Sequence, residues 1–456
     1  MDNTPQNTVD GRPTKAFFVD MLTRDISVTA SILDLCDNAL GRTFELEDID
    51  PSTYFLGGTS GKQKPLKSYY LHLKVSASSL VLEDNCGGIS IEHAKRDIFR
   101  LGKPDSPSGK PDASGETGLS VYGIGMKRAF FKLADHVSLR SSHQNEWFDI
   151  TFDVSKWRKK GDSDWDLPFT ATGVAKNRPD RIPRNGTLIE LKSIRDGVRD
   201  IMENKSFRNE LQDRLQSAYS LFVKLGLDLQ LNGTRIEDTT PDLADEPLKP
   251  ARKTLALDGV RAVLIAGLTP KSVATNAAKS GWSIYCNGRL VLDADKTRLT
   301  GWNDDLPQWH SKFTRFVGFA FFTSNDSLLL PWTTTKQGVV EDSEVFIRAK
   351  QEMQVQARPV IDFLNRQYPS DIPDEGVQER MLFEKARPVS LTAISKTDRA
   401  FAAPLPKLKA KASTKIQYFK PTAQVELVRD KLGKRLSLAE IGSRTFDYFF
   451  HAECDE

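Results

Sequence analysis

The stretch FFVDMLTRDISVTASILDLCDNAL, residues 17–40, decides the reading of this chain. Ile32, Leu35 and Ala39 fall on one stripe at helical spacing, so the segment is predicted to be largely helical. Asp34 and Asn38 stand four residues apart, which puts them on one face of that helix. An amide oxygen can coordinate Mg²⁺, and a carboxylate one turn earlier can orient or deprotonate water. Such pairs are common on helix surfaces. This one gains weight because the helix around it is otherwise apolar, and because three further segments fit the same chemistry.

The next segment outward is EDNCGGIS, residues 83–90. It closes a pair of predicted strands, Tyr69 to Val75 and Ser79 to Glu83. Asp84 ends the second strand, and Gly87 and Gly88 form a tight turn that lets backbone approach a ligand closely. A carboxylate there can accept an adenine amino hydrogen. The third segment is GLSVYGIGMK, residues 118–127. Gly118, Gly123 and Gly125 open a helix whose free N–H groups can hold phosphate. The candidate contacts run from Tyr122 through Gly123, Ile124, Gly125 and Met126 to Lys127, whose ammonium could add a point charge. No GKS or GKT ends the segment, so it is not a Walker loop. No clean βαβ unit surrounds it, so it is not a dinucleotide fingerprint. Before it lies LGKPDSPSGKPDASGETG, residues 101–118, a long loop rich in Gly, Pro, Ser and Asp. The fourth segment, NGTLIEL at 185–191, turns into a strand and offers Thr187 as a hydrogen-bonding group near a base.

The order DxxxN, DxxGG, GxxxxGxG and GT resembles the ATP-binding fold shared by Hsp90, gyrase B, MutL and MORC proteins. The resemblance spans about residues 15–191 and looks nearest to prokaryotic MORC-like and Hsp90-like ATPases. It implies an α/β (α+β) sandwich of the Bergerat type that binds ATP and Mg²⁺. The family's magnesium asparagine corresponds to Asn38 and its adenine aspartate to Asp84. Its phosphate-loop glycines correspond to Gly123 and Gly125, and its base-side threonine to Thr187. The 101–118 loop would be the lid. Two departures stand out. The family's general base is usually Glu, and this chain has Asp34, one methylene shorter. Asp37 is a second carboxylate nearby, but the four-residue spacing favours Asp34. Cys86 replaces the first glycine of the second motif, which requires that its φ not be positive.

Relatives often carry a second domain of the ribosomal S5 type that sends a lysine to the γ-phosphate. Here PWTTTKQGV, residues 331–339, places Lys336 in a short polar loop after a strand-rich segment. The resemblance makes Lys336 that lysine, beside Asp34 as the other catalytic group. VRAVLIAGLT, GWSIYCNGRLVLD and RFVGFAFFT are predicted strands, with Asn287 and Gly288 making a hairpin turn. Arg289 is either structural or faces a partner. Residues 233–255 are predicted to be an insertion or extended loop. Gln351 to Asn365 is predicted to be a helix that Pro359 bends or shortens. The expected division is 15–200 for the ATP-binding domain, 201–370 for the S5-like domain and 371–456 for a basic linker and helical tail.

Composition narrows the rest. There are 64 Lys and Arg against 61 Asp and Glu, so net charge argues neither for nor against nucleic acid. Four cysteines without a Cys-x-x-Cys pair make a disulfide framework or thiolate zinc site unexpected. No apolar run is long enough for a bilayer, and the first fifteen residues lack a signal core, so a cytoplasmic location and no membrane partner are the default. The basic run LPKLKAKASTKIQYFKP, 405–421, is a solvated spacer or a nucleic-acid contact. The resemblance implies ATP hydrolysis in a conformational switch, which the shorter Asp34 would slow, with an ATP-dependent homodimer, partner proteins of a multisubunit system, or duplex DNA as partners. DNA processing and anti-phage defence are the roles that analogy suggests. The alternatives are an Hsp90-like chaperone and a catalytically weak ATP-binding scaffold. A histidine kinase is disfavoured, because so little chain precedes the ATPase segment.

Overall fold

The computed structural model describes residues 14–46, 65–99, 119, 123–161, 164–273, 276–367, 382–404, 416–433 and 436–454. Of the expectations above, Gly118, Tyr122, the 101–118 loop and residues 405–415 of the basic run lie outside the described residues.

The 17–40 stretch is not one helix. Helix α1, Lys15–Arg24, ends at Asp25, and helix α2, Val28–Leu46, starts afresh. Thr14 caps the start of α1, accepting the Phe17 N–H at 3.2 Å, and at the break the Ser27 hydroxyl accepts the Ala30 N–H at 3.1 Å and starts α2. Helix α2 is buried nearly all round, with Ile32, Leu33, Leu35, Cys36 and Leu40 in the core.

Eight strands form the first sheet, in the order β5-β4-β3-β6-β2-β1-β7-β8. They are β1 (Tyr70–Val75), β2 (Ser79–Asp84), β3 (Ala134–His143), β4 (Glu146–Asp153), β5 (Ala171–Val174), β6 (Gly186–Ile194), β7 (Asp228–Leu231) and β8 (Thr234–Arg235). Leu71 and Leu73 of β1 and Leu80 and Leu82 of β2 alternate into the core, as a strand with one buried face requires. Helix α3, Gly125–Leu133, packs along α2. Helices α4 (Val154–Lys159), α5 (Asp196–Glu203) and α6 (Lys205–Lys224) complete the layer. Strand β7 pairs in parallel with β1, so this sheet draws on residues beyond 200.

The second sheet has the order β10-β11-β14-β12-β13, from Ala251–Leu257, Val260–Leu268, Phe316–Thr323, Gly281–Cys286 and Arg289–Asp295. Asn287 and Gly288 join β12 to β13 with φ of 45° and 81°, the left-handed pair of a tight hairpin turn. The 233–255 segment is not simply an extended loop. It contains β8, β9 (Leu243–Asp245) and the start of β10, and β9 pairs with β15, Arg387–Val389. Nor does Pro359 shorten its helix. Helix α7 runs Glu344–Gln367, straight through Pro359. Phe346, Met353, Ala357, Val360, Ile361 and Leu364 all bury in the core, and that burial offsets the one N–H that proline lacks. Helices α8 (Thr422–Leu432) and α9 (Leu438–Glu453) end the described chain, α9 entered through a capping box of Ser437 and Glu440. No described helix is long and apolar enough to cross a membrane.

Candidate functional site

Helix α2 is the spine of the site. Asp34 is 2% exposed and Asp37 fully buried, so both carboxylates need partners. Arg128, on the first turn of α3, puts its Nε 2.6 Å from Asp34 Oδ2. Asp37 receives three groups. Tyr219 of α6 donates its hydroxyl at 2.7 Å, Arg289 of β13 its Nε at 2.7 Å, and Lys336 its ammonium at 2.8 Å. Burial pushes the Asp37 carboxyl upward, but Arg289 and Lys336 outweigh it and hold the group below the usual carboxylate range. Lys336 Nζ also lies 3.9 Å from Asp34 Oδ1. A lysine of the second sheet's loop thus reaches the same helix turn as the Asp34–Asn38 pair.

The loop that carries Lys336 is built for this. Thr333 accepts the Lys336 N–H at 2.9 Å and donates its own N–H to Gly338 at 3.1 Å. Lys336 itself has φ of 52°, an uncommon conformation for a residue with a Cβ. Two guanidinium groups hold its carbonyls. Arg128 Nη2 donates to the Thr334 carbonyl at 2.9 Å, and Arg289 Nη1 to the Lys336 carbonyl at 3.2 Å.

One turn past Asp34, the Nδ2 of Asn38 is buried and has no hydrogen-bond partner among the described residues. An orphaned buried amide is costly unless a ligand completes it. It fits a magnesium site in which the amide is turned oxygen-first and phosphate and water supply the other ligands. Among the described residues, no three His, Cys, Asp or Glu side chains cluster as a metal site.

The glycine segments close on α2 from both sides. A Cβ added to Gly125 would sit 3.3 Å from Asp34 Cγ, so the start of α3 lies against that carboxylate. A Cβ at Gly87 would meet Leu46 at 2.5 Å. At Gly88, φ is +66° and a Cβ would lie 1.9 Å from the Ser142 carbonyl. Glycine is therefore required there by contact with β3. Cys86 is not among the positive-φ residues, which is why a side chain is tolerated at that position. The cysteine is buried against the Tyr70 carbonyl. Gly123 has φ of +61° and open space where a Cβ would be. Ile124 caps α3 without a side-chain bond, which leaves the first-turn N–H groups to another acceptor. Met126 is buried in the core. Lys127 is also buried, and its ammonium bonds back to the Gly123 carbonyl.

Asp84 and Thr187 sit opposite each other on β2 and β6. Asp84 is 2% exposed and accepts the Cys86 N–H at 2.8 Å. Burial raises its carboxyl to about 7, against the lowering effect of the Cys86 and Thr187 backbone bonds. A carboxylate oxygen here can accept a hydrogen bond from an N–H donor such as an amino group. Ser141 of β3 links Thr187 to the turn after Asp84. Its hydroxyl lies 3.0 Å from the Thr187 hydroxyl and accepts the Ile89 N–H at 2.8 Å.

Residues 26–178 match the family described as histidine kinase-, DNA gyrase B-, and HSP90-like ATPase. These residues form an ATPase domain of that family. The matched segment contains Asp34, Asn38, Asp84, Gly88 and the Gly123–Lys127 segment, while Thr187 and Lys336 lie beyond it. Among curated proteins the chain has no match. Sequence reading missed the partners of the ATPase domain's buried carboxylates, Arg128 and Tyr219. It left Arg289 undecided between a structural role and a partner. Arg128 carried a weak signal, a second cation directly after Lys127 on a helix that otherwise buries itself.

Proposed function

We propose that the chain hydrolyses Mg²⁺-ATP in a site split between its two sheets, and that this couples nucleotide state to their relative placement. One observation carries the reading: Lys336, from the loop after the second sheet, lies 2.8 Å from Asp37 and 3.9 Å from Asp34 on the helix of the ATPase domain. On this reading Asp84 accepts the adenine amino hydrogen with Thr187 beside it, and the N-terminus of α3 from Gly123 onward holds phosphate. Asn38 holds the metal, which when bound neutralises phosphate charge. Asp34 Oδ1 takes a proton from the attacking water. Lys336 leaves Asp37 for the γ-phosphate, where a cation stabilises the charge of phosphoryl transfer. The second sheet is then an S5-like transducer.

The test is a steady-state ATPase assay with and without duplex DNA. Asn38→Ala and Asp34→Ala should each lower kcat by at least about tenfold. If neither changes ATP binding or turnover, the assigned pocket is wrong. Stimulation by duplex DNA that fades with salt would identify a DNA machine of the MORC kind. Stimulation by an unfolded protein would identify a chaperone, and binding without turnover a scaffold.

The Asp84 carboxyl gives the site a pH signature. Its value is raised to about 7, so the group is ionised above neutrality and protonated below it. The ionised form is the better acceptor for an amino hydrogen. ATP affinity should therefore fall severalfold from pH 8 to pH 6, with a ceiling of about tenfold per pH unit from one titrating group. Nucleotide's own phosphate also titrates in this range, so the readout is the difference between wild type and Asp84→Asn in a binding titration. An identical pH profile for the two proteins would remove Asp84 from the adenine site.

A further inference from the structure

Two arginines make the same kind of bridge. Each joins one α2 carboxylate to one carbonyl of the Lys336 loop. Arg289 spans Asp37 and the Lys336 carbonyl, while Arg128 spans Asp34 and the Thr334 carbonyl. They differ in origin. Arg289 belongs to the second sheet, as the loop does, whereas Arg128 belongs to the ATPase domain's phosphate helix. Arg128 is therefore the side chain through which that helix grips the incoming loop.

We propose that Arg128 is a positioning residue for ATP hydrolysis, fixing Asp34 and the Lys336 loop in one register so that base and cation are assembled together. The inference rests on the split-site reading above. Its physical basis is the planar fork of the guanidinium, whose Nε and Nη2 point in fixed, different directions. With Nε on Asp34 Oδ2 at 2.6 Å, Asp34 Oδ1 is the oxygen left to face Lys336. A shortened base gains most from such a clamp, because aspartate reaches less far than glutamate and must be aimed. Arg128 is 5% exposed, and Gly125 packs against the same carboxylate, so Asp34 has little freedom to reorient. The two-residue spacing from Thr334 to Lys336 then sets where the ammonium arrives. When the loop withdraws, Arg128 loses its second acceptor, and the clamp on Asp34 loosens with it.

The experiment compares full-length wild type, Arg128→Met, Arg128→Lys, Lys336→Met and the Arg128→Met/Lys336→Met double variant. It reads kcat, KM for ATP and the thermal midpoint. Arg128→Met should lower kcat by about tenfold or more while KM stays within about threefold, the pattern of a lost transition-state arrangement rather than lost binding. Arg128→Lys keeps the charge but cannot span both acceptors, so it should recover less than half of the loss. The double variant should lose clearly less than the product of the two single losses, because residues acting through one another are not additive. If losses multiply in the double variant, or Arg128→Lys is fully active, Arg128 does not act through the loop. If Arg128→Met shows a low midpoint, Arg128→Lys carries the test in its place: full activity in a folded Lys variant overturns the proposal. A Lys336→Met protein with full turnover sinks the split-site reading and this inference with it. A crippled Lys336→Met beside an unimpaired Arg128→Met sinks this inference alone.

Discussion

Asp37→Ala is expected to destabilise the protein by about 3–5 kcal/mol, the cost of removing one partner from a buried ion cluster. The cluster is asymmetric, and that decides the size of the effect. One carboxylate serves two cations, Arg289 at 2.7 Å and Lys336 at 2.8 Å, and all three side chains are almost wholly excluded from water. Removing the carboxylate takes Arg289's ion partner away in a dry site and leaves Lys336 only the longer contact to Asp34 Oδ1, at 3.9 Å. Among the described residues, Arg289 would keep the Leu290 and Lys336 carbonyls as acceptors and the Tyr219 ring beside it. The Tyr219 hydroxyl keeps the Leu33 carbonyl at 2.9 Å, so it contributes little to the loss. Asp37→Asn should cost less, because the amide keeps an acceptor for Arg289 and Tyr219. Urea unfolding of the three proteins measures this, and a loss below about 1 kcal/mol for the alanine variant would mean that the cluster is open to solvent in solution.

Lys336→Met should leave the fold nearly intact and lower kcat by about 10²–10³-fold, the usual cost of removing a preorganised charge from a transition state. Stability survives because Asp37 keeps Arg289 and Tyr219, and because methionine is an unbranched apolar side chain of similar length. KM for ATP should move little if the ammonium reaches the phosphate only in the closed arrangement. Turnover within threefold of wild type would take Lys336 out of the chemistry and leave it as a strut between the two sheets.

These two substitutions separate what was legible in the chain from what was not. Asp34 was readable as a candidate from its spacing to Asn38, and Lys336 from the resemblance of its loop to the lysine loop of the family's second domain. The choice of Asp34 over Asp37 followed from the four-residue step to Asn38. That step says nothing about what else the helix faces. Asp37 proved to be the more heavily engaged carboxylate, since it points at β13, α6 and the lysine loop together. The glycines show the same division. Gly88 was read as a residue that lets a ligand come close, yet its first requirement is the Ser142 carbonyl, 1.9 Å from where a Cβ would stand. Lys127 was read as a charge for phosphate, and it is buried with its ammonium on Gly123.

By itself the sequence determined the local pieces: the helix that carries Asp34 and Asn38, the strand ending in Asp84, the glycine entry to α3, the Asn287–Gly288 turn and the loop around Lys336. Each depends on interactions a few residues long, such as helical periodicity, side-chain caps and the freedom of glycine at positive φ. Only the tertiary structure decided the partners. The bonds Arg128–Asp34, Arg289–Asp37 and Lys336–Asp37 join residues 94, 252 and 299 positions apart. No local pattern encodes a pairing at that distance. It is fixed when Arg289 of the second sheet and the Lys336 loop close onto helix α2, and each charge trapped there must find its opposite, because water is no longer available to solvate it.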